Sequence, residues 1–389
     1  MKIFWNECKK YRSLPLLLFV LSAHFITYML LTDYDIRMMN QGKSTASSII
    51  VHRELVDTYG PSMTKEDWED VKRITALYQT RLDAYVQNDV ELQQLGVNTF
   101  EEWQQLIWEE NERGERASAL YDDWIFESND SEDFWLWQEY DRLLSFYEGN
   151  EAYIEQNRHG PGHRDAASPD YYEQLYEQST IVAQPERIFL IVRNLTTSAV
   201  FIVVLVTLLM TAPVHYQDRM QRMIPLQYST TYGRRLPFVK WLASMTVSSI
   251  LTFIMIVVYA YLMGRNGHLY FVDVPIRELI SGEIWFDWTI GEWLWMTGII
   301  LFFFTFVATI VGMWIGTYAK NALQLAGGVI LAVIGCAAIL LPLSITRLFS
   351  AWYPPFYTWV QLGSIGLFAM ILLGAIVYYE KKKDVVPFE

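Results

Sequence analysis

The chain has 389 residues, of which 52 % are hydrophobic and 19 % are charged, and its formal net charge is −13. These whole-chain values average long apolar runs with one strongly acidic segment. The contrast indicates two regions with different solvents. The chain has two cysteines, Cys8 and Cys336. Because neither belongs to the acidic segment, we exclude a disulfide-stabilised domain there.

Residues 1–12 are predicted to form a short amphipathic helix on the cytoplasmic surface of a membrane. Apolar and small side chains recur at helical spacing in the sequence KIFWNECKKYR, at Ile3, Phe4, Cys8 and Tyr11. Basic residues occupy other positions of the same stretch, as in helices that lie in the membrane interface. An unstructured basic tail is the alternative.

Residues 13–32 are predicted to be the first transmembrane helix. The apolar run Leu14–Thr32 has the length needed, since about 20 residues cross a hydrocarbon core of ~30 Å. A signal peptide also has a basic start and an apolar stretch. No small-residue cleavage site follows here, because Tyr34 and Asp35 come next. We therefore interpret this segment as a retained anchor.

Residues 33–186 are predicted to form a separate acidic domain. They contain 33 of the 43 acidic and 12 of the 30 basic residues, so their net charge is −21 and that of the remainder is +8. With 154 residues the segment is long enough to bury a core of its own.

Three stretches of this segment have helical periodicity. The first begins at Thr64, with Asp67 three residues later as in a capping box, and its apolar face contains Trp68, Val71, Thr75, Tyr78, Leu82 and Tyr85. The second has Thr99 as its N-cap, with Glu102 three residues later, and continues towards Trp124. The third has apolar groups at Phe134, Trp137, Tyr140, Leu144 and Tyr147. Since no stretch alternates as a strand does, we predict an all-helical domain.

Two motifs of the acidic segment are candidate ligand sites that we reject. Asp122–Asp133 offers carboxylates to calcium but lacks the central glycine and the final bidentate glutamate of a calcium loop. His159 and His163 are four residues apart, but the intervening Gly-Pro-Gly excludes a helix. We expect a solvated acidic loop and no metal. The acidic, Trp-rich helices are expected to be aromatic cores with solvated faces, and a face that binds a cationic or amphipathic ligand is the alternative.

Residues 187–389 are predicted to supply the other five transmembrane helices. The apolar runs are Ile188–Ala212, Pro237–Met263, Leu294–Thr317, Ala322–Thr346 and Tyr357–Tyr379. Tryptophan and tyrosine crowd their ends, as in the interfacial belts of membrane proteins. The expected fold class is an all-α integral membrane protein with six transmembrane helices. Its helical extracytoplasmic domain is inserted between the first and second of them.

Charge alternation across these segments predicts the topology. The two ends of the chain, residues 213–240 and Lys320 together carry thirteen basic residues, whereas the two short loops of the opposite side carry three. The side richer in Lys and Arg is the cytoplasmic one. We therefore predict a multi-pass protein of the cell membrane with both termini in the cytoplasm and residues 33–186 outside.

The predicted spans contain no Asp or Glu, and besides Lys240 at the membrane edge their ionisable groups are His24 and Arg193. Coupled carriers usually place a carboxylate near the bilayer midplane, so ion-coupled transport is disfavoured. We expect His24 to hydrogen-bond a neighbouring helix and Arg193 to extend towards the interface. Gly312 and Gly316, spaced as Gly-x-x-x-Gly, predict close packing of two helices.

Motifs of catalysis and nucleotide binding are missing from the sequence. There is no GxxxxGK[ST] loop to bind nucleotide phosphates, and GxSxG, HExxH and paired-cysteine motifs are absent as well. We predict that the chain is not an enzyme and binds no cofactor.

The segment Pro213–Lys240 is the most informative part of the remaining sequence. It contains five basic residues, one acidic residue (Asp218) and interleaved apolar groups. It is predicted to form one or two short amphipathic helices, then a turn at Gly233 and Arg234, with Lys240 at the membrane edge. A compact segment with one polar and one apolar side is suited to docking into another protein.

In these residues the chain resembles the membrane subunits of ABC-2 type (type V) ABC transporters. In that family the loop between the second and third spans carries a Glu, a turn ending in Arg, and a Lys at the start of the next helix. Here Asp218 occupies the position of the Glu, Ser229–Arg234 corresponds to the turn, and Lys240 corresponds to the family's lysine. The segment around Pro354 and Pro355 resembles that family's outer re-entrant segment.

The resemblance implies that residues 187–389 form a permease core. It also implies two kinds of protein partner and a set of coupling residues. The partners are a cytoplasmic ABC ATPase, which binds the ATP, and a second permease subunit in a homodimer or heterodimer; nucleic acid is not among them. A helix at residues 216–222 would dock in a groove of the ATPase. The implied coupling residues are Tyr216, Asp218, Arg219, Arg222, Gly233, Arg234 and Lys240.

The expected function is that of the transmembrane subunit of an ATP-driven exporter of an amphipathic substrate, either a peptide, a lipid or a drug. The alternative is a membrane sensor or immunity protein whose outer domain binds a ligand without transport. A membrane-embedded enzyme is disfavoured, because the sequence offers no cluster of carboxylates, histidines or metal ligands within the spans.

Overall fold

The computed structural model of the protein describes residues 2–37, 42–128, 131–158, 181–182, 186–221, 236–276, 286, 288–338 and 356–382. The chain divides into two compact units. Unit 1 comprises Met1–Ile36, Leu190–Leu269 and Ile290–Glu389, and unit 2 comprises Arg37–Phe189 and Tyr270–Thr289.

Unit 1 is built from long apolar helices and one short amphipathic helix. Its helices, numbered together with those of unit 2 in chain order, are α1 (Lys2–Lys10), α2 (Leu14–Leu31), α10 (Glu186–Met220), α11 (Leu236–Arg265), α12 (Ile290–Tyr318), α13 (Ala322–Gly335) and α14 (Phe356–Lys382). A short α3 (Asp33–Arg37) follows α2.

Within the residues that the structure describes, five helices are long and apolar enough to cross a bilayer. They are Leu14–Leu31, Ile191–Asp218, Leu236–Arg265, Ile290–Tyr318 and Phe356–Glu380. The predicted span Ala322–Thr346 is described only as a shorter apolar helix, Ala322–Ala338. The rest of that span, together with Pro354 and Pro355, lies outside the described residues. The protein is therefore an all-α membrane protein, and a sixth span stays a prediction.

Helices α10 and α12 form the interior of unit 1, while α2 and α14 expose most of their apolar side chains. A helix that is apolar all round and exposed is matched to lipid rather than to water. Among the described residues, hydroxyls contribute several of the polar contacts between the long helices. Thr252 of α11 and Thr305 of α12 are buried and lie 2.7 Å apart, oxygen to oxygen, a contact typical of membrane helix pairs.

His24 of α2 does not make the hydrogen bond that we expected of it. Its ring stacks on Tyr259 of α11 at a centroid distance of 6.0 Å, and its buried Nδ1 atom has no hydrogen-bond partner. Arg193 is half-buried in the first turns of α10. Packing rather than hydrogen bonding therefore holds this histidine.

Where the structure describes it, unit 2 is mainly helical and contains a short pair of strands. Strands β1 (Ser62–Met63) and β2 (Ile181–Val182) are antiparallel, with Ser62 opposite Val182. The helices are α4 (Gly42–Tyr59), α5 (Lys65–Asn88), α6 (Val90–Gln94), α7 (Phe100–Leu106), α8 (Glu112–Asp122) and α9 (Glu132–Arg158). The described residues of the acidic segment are therefore mainly helical, as predicted, and the two-residue ladder was not predicted.

The predicted helix starts are confirmed in unit 2. Thr64 caps α5 in a capping box with Asp67, and Thr99 caps α7 by accepting a hydrogen bond from the Glu102 amide. The second predicted helix is interrupted at residues 107–111, because Asn111 is the N-cap of a separate helix, α8. Helix α4 was not predicted at all.

The helical spacing of the aromatic residues correctly predicted which side chains form the core of unit 2. Phe100, Trp103 and Phe134 are each at most 2 % exposed and pack in one cluster, and the Trp103 indole donates to the Ala117 carbonyl at 3.1 Å. A second cluster around Trp68 joins α4, α5 and α9. These buried rings are the aromatic core that we expected of the acidic segment.

The acidic stretch Asp122–Asp133 surrounds a cation of the chain itself. The Lys43 ammonium donates to the carbonyls of Phe126 and Ser128, at 3.3 and 2.7 Å. The carboxylates of Asp123 and Glu127 face solvent. Two backbone oxygens of this stretch are therefore bonded to a lysine. His159 and His163 lie outside the described residues.

A buried hydrogen-bonded cluster joins α4 to α9. Glu139 is 6 % exposed and accepts hydrogen bonds from Ser48, His52 and Arg142, at distances from 2.6 to 3.0 Å. Burial by itself would raise the pKa of the Glu139 carboxyl. The hydrogen bonds and charges of His52 and Arg142 outweigh burial and lower this pKa to about 2.

We expect the stability of the protein to depend on pH through Glu139. A carboxyl whose pKa falls from 4.5 to about 2 on folding contributes stability above pH 4.5, and this contribution is lost as the pH falls towards 2. The loss amounts to roughly 3 kcal/mol, at 1.36 kcal/mol per unit. In thermal unfolding of the full chain in detergent, Glu139→Gln should lower Tm at pH 6 and flatten its decrease between pH 5 and 3.

The control for this measurement is Glu69→Gln. Glu69 also forms an ion pair, with Lys72 at 2.9 Å, but its side chain is 70 % exposed. Exposed pairs contribute little to stability. An equal flattening of the pH profile by both substitutions would contradict the assignment to Glu139.

Residues 270–289 belong to unit 2, although the whole of α10 and α11 separates them from its other segment. Tyr270 donates a hydrogen bond to Asp57, and the Arg53 guanidinium lies 5.0 Å from the centre of its ring. Phe271 and Ile276 are fully buried. The sequence alone indicated only a short loop here.

Candidate functional site at the Asp218 ion-pair cluster

Asp218, in the last turn of α10, is the centre of a buried ion-pair cluster. Its carboxylate lies 2.7 Å from the Lys10 ammonium of α1 and 2.7 Å from the Lys240 ammonium of α11. Glu7 of α1 lies 2.7 Å from the same Lys10 nitrogen. The two carboxylates therefore balance the two ammonium groups. Asp218 itself is only 6 % exposed.

A hydrogen-bonded group of neutral side chains adjoins these charges. Ser244 donates to the Lys240 carbonyl at 2.8 Å, one turn back along α11. The Ser244 oxygen lies 2.5 Å from the Tyr11 hydroxyl and 3.0 Å from His215 Nε2. Since a hydroxyl has one proton and two lone pairs, Tyr11 and His215 are the donors in these two contacts. The group ties α10, α11 and the N-terminal segment together a second time.

Helical spacing brings the members of the cluster onto facing surfaces. His215 and Asp218 are three residues apart on α10, and Lys240 and Ser244 are four apart on α11, so each pair lies on one face of its helix. Helix α1 packs along α11. Three segments that are distant in sequence therefore meet at one end of unit 1.

Helix α12 approaches α10 closely just beside this cluster. A Cβ atom placed on Gly312 would lie 2.0 Å from the Thr211 hydroxyl, and one on Gly316 would lie 2.3 Å from the Ala212 carbonyl oxygen. These distances leave no room for a side chain. The close packing predicted for Gly312 and Gly316 is thus confirmed.

The structure brings together two of the seven predicted coupling residues, Asp218 and Lys240. Tyr216 is half-buried on the same helix as Asp218. Arg219 belongs to α10, but the position of its side chain is not described. Arg222, Gly233 and Arg234 lie outside the described residues.

The local structure differs from the prediction in two respects. Tyr216–Met220 forms the last turns of the 35-residue helix α10, which continues through Pro213, and not a separate short helix. The Asp218 carboxylate, which we expected among the residues that couple to a partner, is buried and is bonded to Lys10 and Lys240 within the chain.

Sequence reasoning missed Glu7, Lys10, Tyr11, His215 and Ser244 as members of this site. One signal was available: Asp218 is the only acidic residue in a basic segment. A buried carboxylate requires a cationic partner. The choice of Lys10, which is 208 residues away, depends on the tertiary structure.

No family model matches the chain, and neither a curated protein nor a solved structure matches it. The class of protein therefore rests on the fold, which is that of an all-α membrane protein. The particular function has to be argued from the cluster.

Proposed function

We propose that the chain is the transmembrane subunit of an ATP-driven exporter of the ABC-2 type. In this proposal it spans the cell membrane six times, has both termini in the cytoplasm and works as a homodimer or heterodimer. A separate cytoplasmic ATPase supplies the ATP hydrolysis. The substrate is amphipathic: a peptide, a lipid or a drug.

The Asp218 cluster is the observation that carries this proposal. Residues 221–235 connect α10 to α11, and the Asp218–Lys240 pair fixes the two helices to each other where this connection begins and ends. A partner that moves the connection therefore moves both helices and, through Lys10, also α1. ATP-driven closure of a partner moves transmembrane helices only where a rigid connection of this kind links them to the partner.

The two chain segments that make up unit 2 support the proposed topology. Residues 33–186 and the loop after the third predicted span were assigned to the same side of the membrane from charge alone. The second of these segments, Tyr270–Thr289, belongs to the same compact unit as the first. Two segments on opposite sides of a bilayer do not share a core.

The test is to express the chain together with the proteins encoded by neighbouring genes and to purify it on a tag at Glu389. We expect a protein with a GxxxxGK[ST] loop to co-elute and to hydrolyse ATP. Elution without any such ATPase would favour the sensor or immunity protein instead.

A charge-reversal variant tests the docking segment itself. Arg219→Glu/Arg222→Glu should abolish co-elution of the ATPase without lowering expression, because it reverses the charge of the proposed docking surface. The matched control is Lys2→Glu/Lys9→Glu, which makes the same change in net charge at two exposed positions of α1. An intact complex from the first variant would refute the docking claim.

A further inference from the structure

A cavity lies between α10, α11 and α12 in unit 1. Its volume is about 100 Å³, and it is partly open to the surface of the helices. Its walls are mainly aliphatic, with Ala199 from α10, Ala260 and Met263 from α11, and Gly298 and Leu301 from α12. A Cβ atom placed on Gly298 would meet no atom within 4 Å. The absence of a side chain there keeps the space open.

The polar side chains of the wall are bonded among themselves, with one exception. The hydroxyls of Thr196 and Thr297 lie 3.0 Å apart, and the Trp293 indole donates to Thr196 at 3.1 Å. Tyr259 is 5 % exposed, and its hydroxyl forms no hydrogen bond of acceptable geometry. Thr32, at the end of α2, lies close enough to interact with this hydroxyl, but its own hydroxyl likewise forms no hydrogen bond of acceptable geometry. The cavity is therefore apolar, and the Tyr259 hydroxyl is the one polar group of its wall outside the bonded set.

These properties fit a hydrocarbon chain better than water. A buried water needs two to four polar partners, whereas an apolar cavity of ~150 Å³ stays dry and binds a molecule the size of benzene. A space of about 100 Å³ therefore suits a few methylene groups of one chain.

The depth of the cavity identifies the kind of molecule. Helix α11 has 30 residues and is therefore about 45 Å long, which exceeds a ~30 Å hydrocarbon core by roughly 7 Å at each end. Tyr259 is six residues before the end of α11 at Arg265, about 9 Å from it. The Cα atom of Tyr259 thus lies near the edge of the hydrocarbon, where the ester groups of phospholipids are located.

We propose that this cavity binds the first methylene groups of one acyl chain of a membrane phospholipid, and that the Tyr259 hydroxyl donates a hydrogen bond to its ester carbonyl. The lipid enters from the leaflet that adjoins the C-terminal end of α11. This inference concerns a site distant from Asp218 in sequence and does not depend on an ATPase partner.

The test is photolabelling of the full chain in nanodiscs with a phospholipid that carries a diazirine on the acyl chain close to the ester. We expect adducts on peptides of α10, α11 and α12 that line the cavity. Gly298→Leu and Ala260→Phe should each lower this labelling by roughly tenfold, as the loss of two buried methylene groups predicts. Two substitutions are used so that, if one variant misfolds, the other variant still decides the test.

The matched control is Gly374→Leu in α14, where an added Cβ also meets no atom within 4 Å. It should leave cavity labelling unchanged. Equal labelling of the wild-type protein and of the folded cavity variants would overturn the proposal. So would labelling that is no stronger on cavity peptides than on α14.

A second comparison tests the hydrogen bond of Tyr259. Tyr259→Phe should lower labelling by the ester lipid and leave labelling by the matching ether lipid unchanged, since only the ester has a carbonyl acceptor. An equal loss of labelling with both lipids would overturn the ester assignment, because the loss of a packing contact of the ring would lower labelling by both lipids.

Discussion

Replacing Asp218 by alanine is expected to release α1 from the rest of unit 1 and to destabilise the protein by about 3 kcal/mol, because removing one partner of a buried pair leaves the other charge uncompensated. Two ammonium groups are affected here, and the side chain of Lys240 is only 12 % exposed. The measurement is thermal unfolding in detergent, combined with hydrogen exchange of residues 2–10, whose protection should fall.

Two comparison variants show whether charge causes this loss. Glu7→Ala removes the second carboxylate of Lys10 but leaves Asp218 with both lysines, so we expect a smaller effect. Asp218→Leu/Lys240→Met replaces a charged pair by apolar groups of similar volume, which is often neutral for stability. A double variant as unstable as Asp218→Ala would contradict the electrostatic account.

Gly316→Ala is expected to have the second large effect. The new methyl group would lie 2.3 Å from the Ala212 carbonyl oxygen and 2.8 Å from the Cβ atom of His215. Because the first of these atoms belongs to the backbone, α12 has to move away from α10. Overpacking of this kind costs about 1–3 kcal/mol, which a lowered Tm and a shifted elution volume in detergent would report.

Gly298→Ala provides the control on the same helix. Its added methyl group meets no atom within 4 Å, and alanine favours a helix over glycine by up to about 1 kcal/mol. We expect its Tm to equal or exceed that of the wild-type protein. Equal losses from the two substitutions would show that glycine matters for the helix backbone and not for helix contact.

Features that depend on local sequence were predictable. The apolar runs, the Thr64 and Thr99 caps and the period of Trp68 and Trp103 each depend on residues within a few turns of one another. Helix α4 was missed because its stretch is rich in Ser and Thr and buries His52, which weakens the apolar period.

Features that depend on distant segments were not predictable from one sequence. The chain contains many lysines, and nothing local distinguishes Lys10 or Lys240 as a partner of Asp218. The segment after α11 offered no sign that Tyr270 would contact Asp57, which is 213 residues away. Pairing over such distances is decided by how helices pack, which a local pattern does not encode.

The division of unit 2 into two stretches sets an order of events during biosynthesis. Phe271 and Ile276 are fully buried parts of this unit, yet they are synthesised 82 and 87 residues after Phe189. At ~5–20 residues per second, the first stretch waits roughly 4–17 s for them. Helices α10 and α11 emerge in that interval. Completion of the acidic unit therefore follows the synthesis of two membrane helices, so that a ribosome stalled before Tyr270 would leave the acidic unit unfinished.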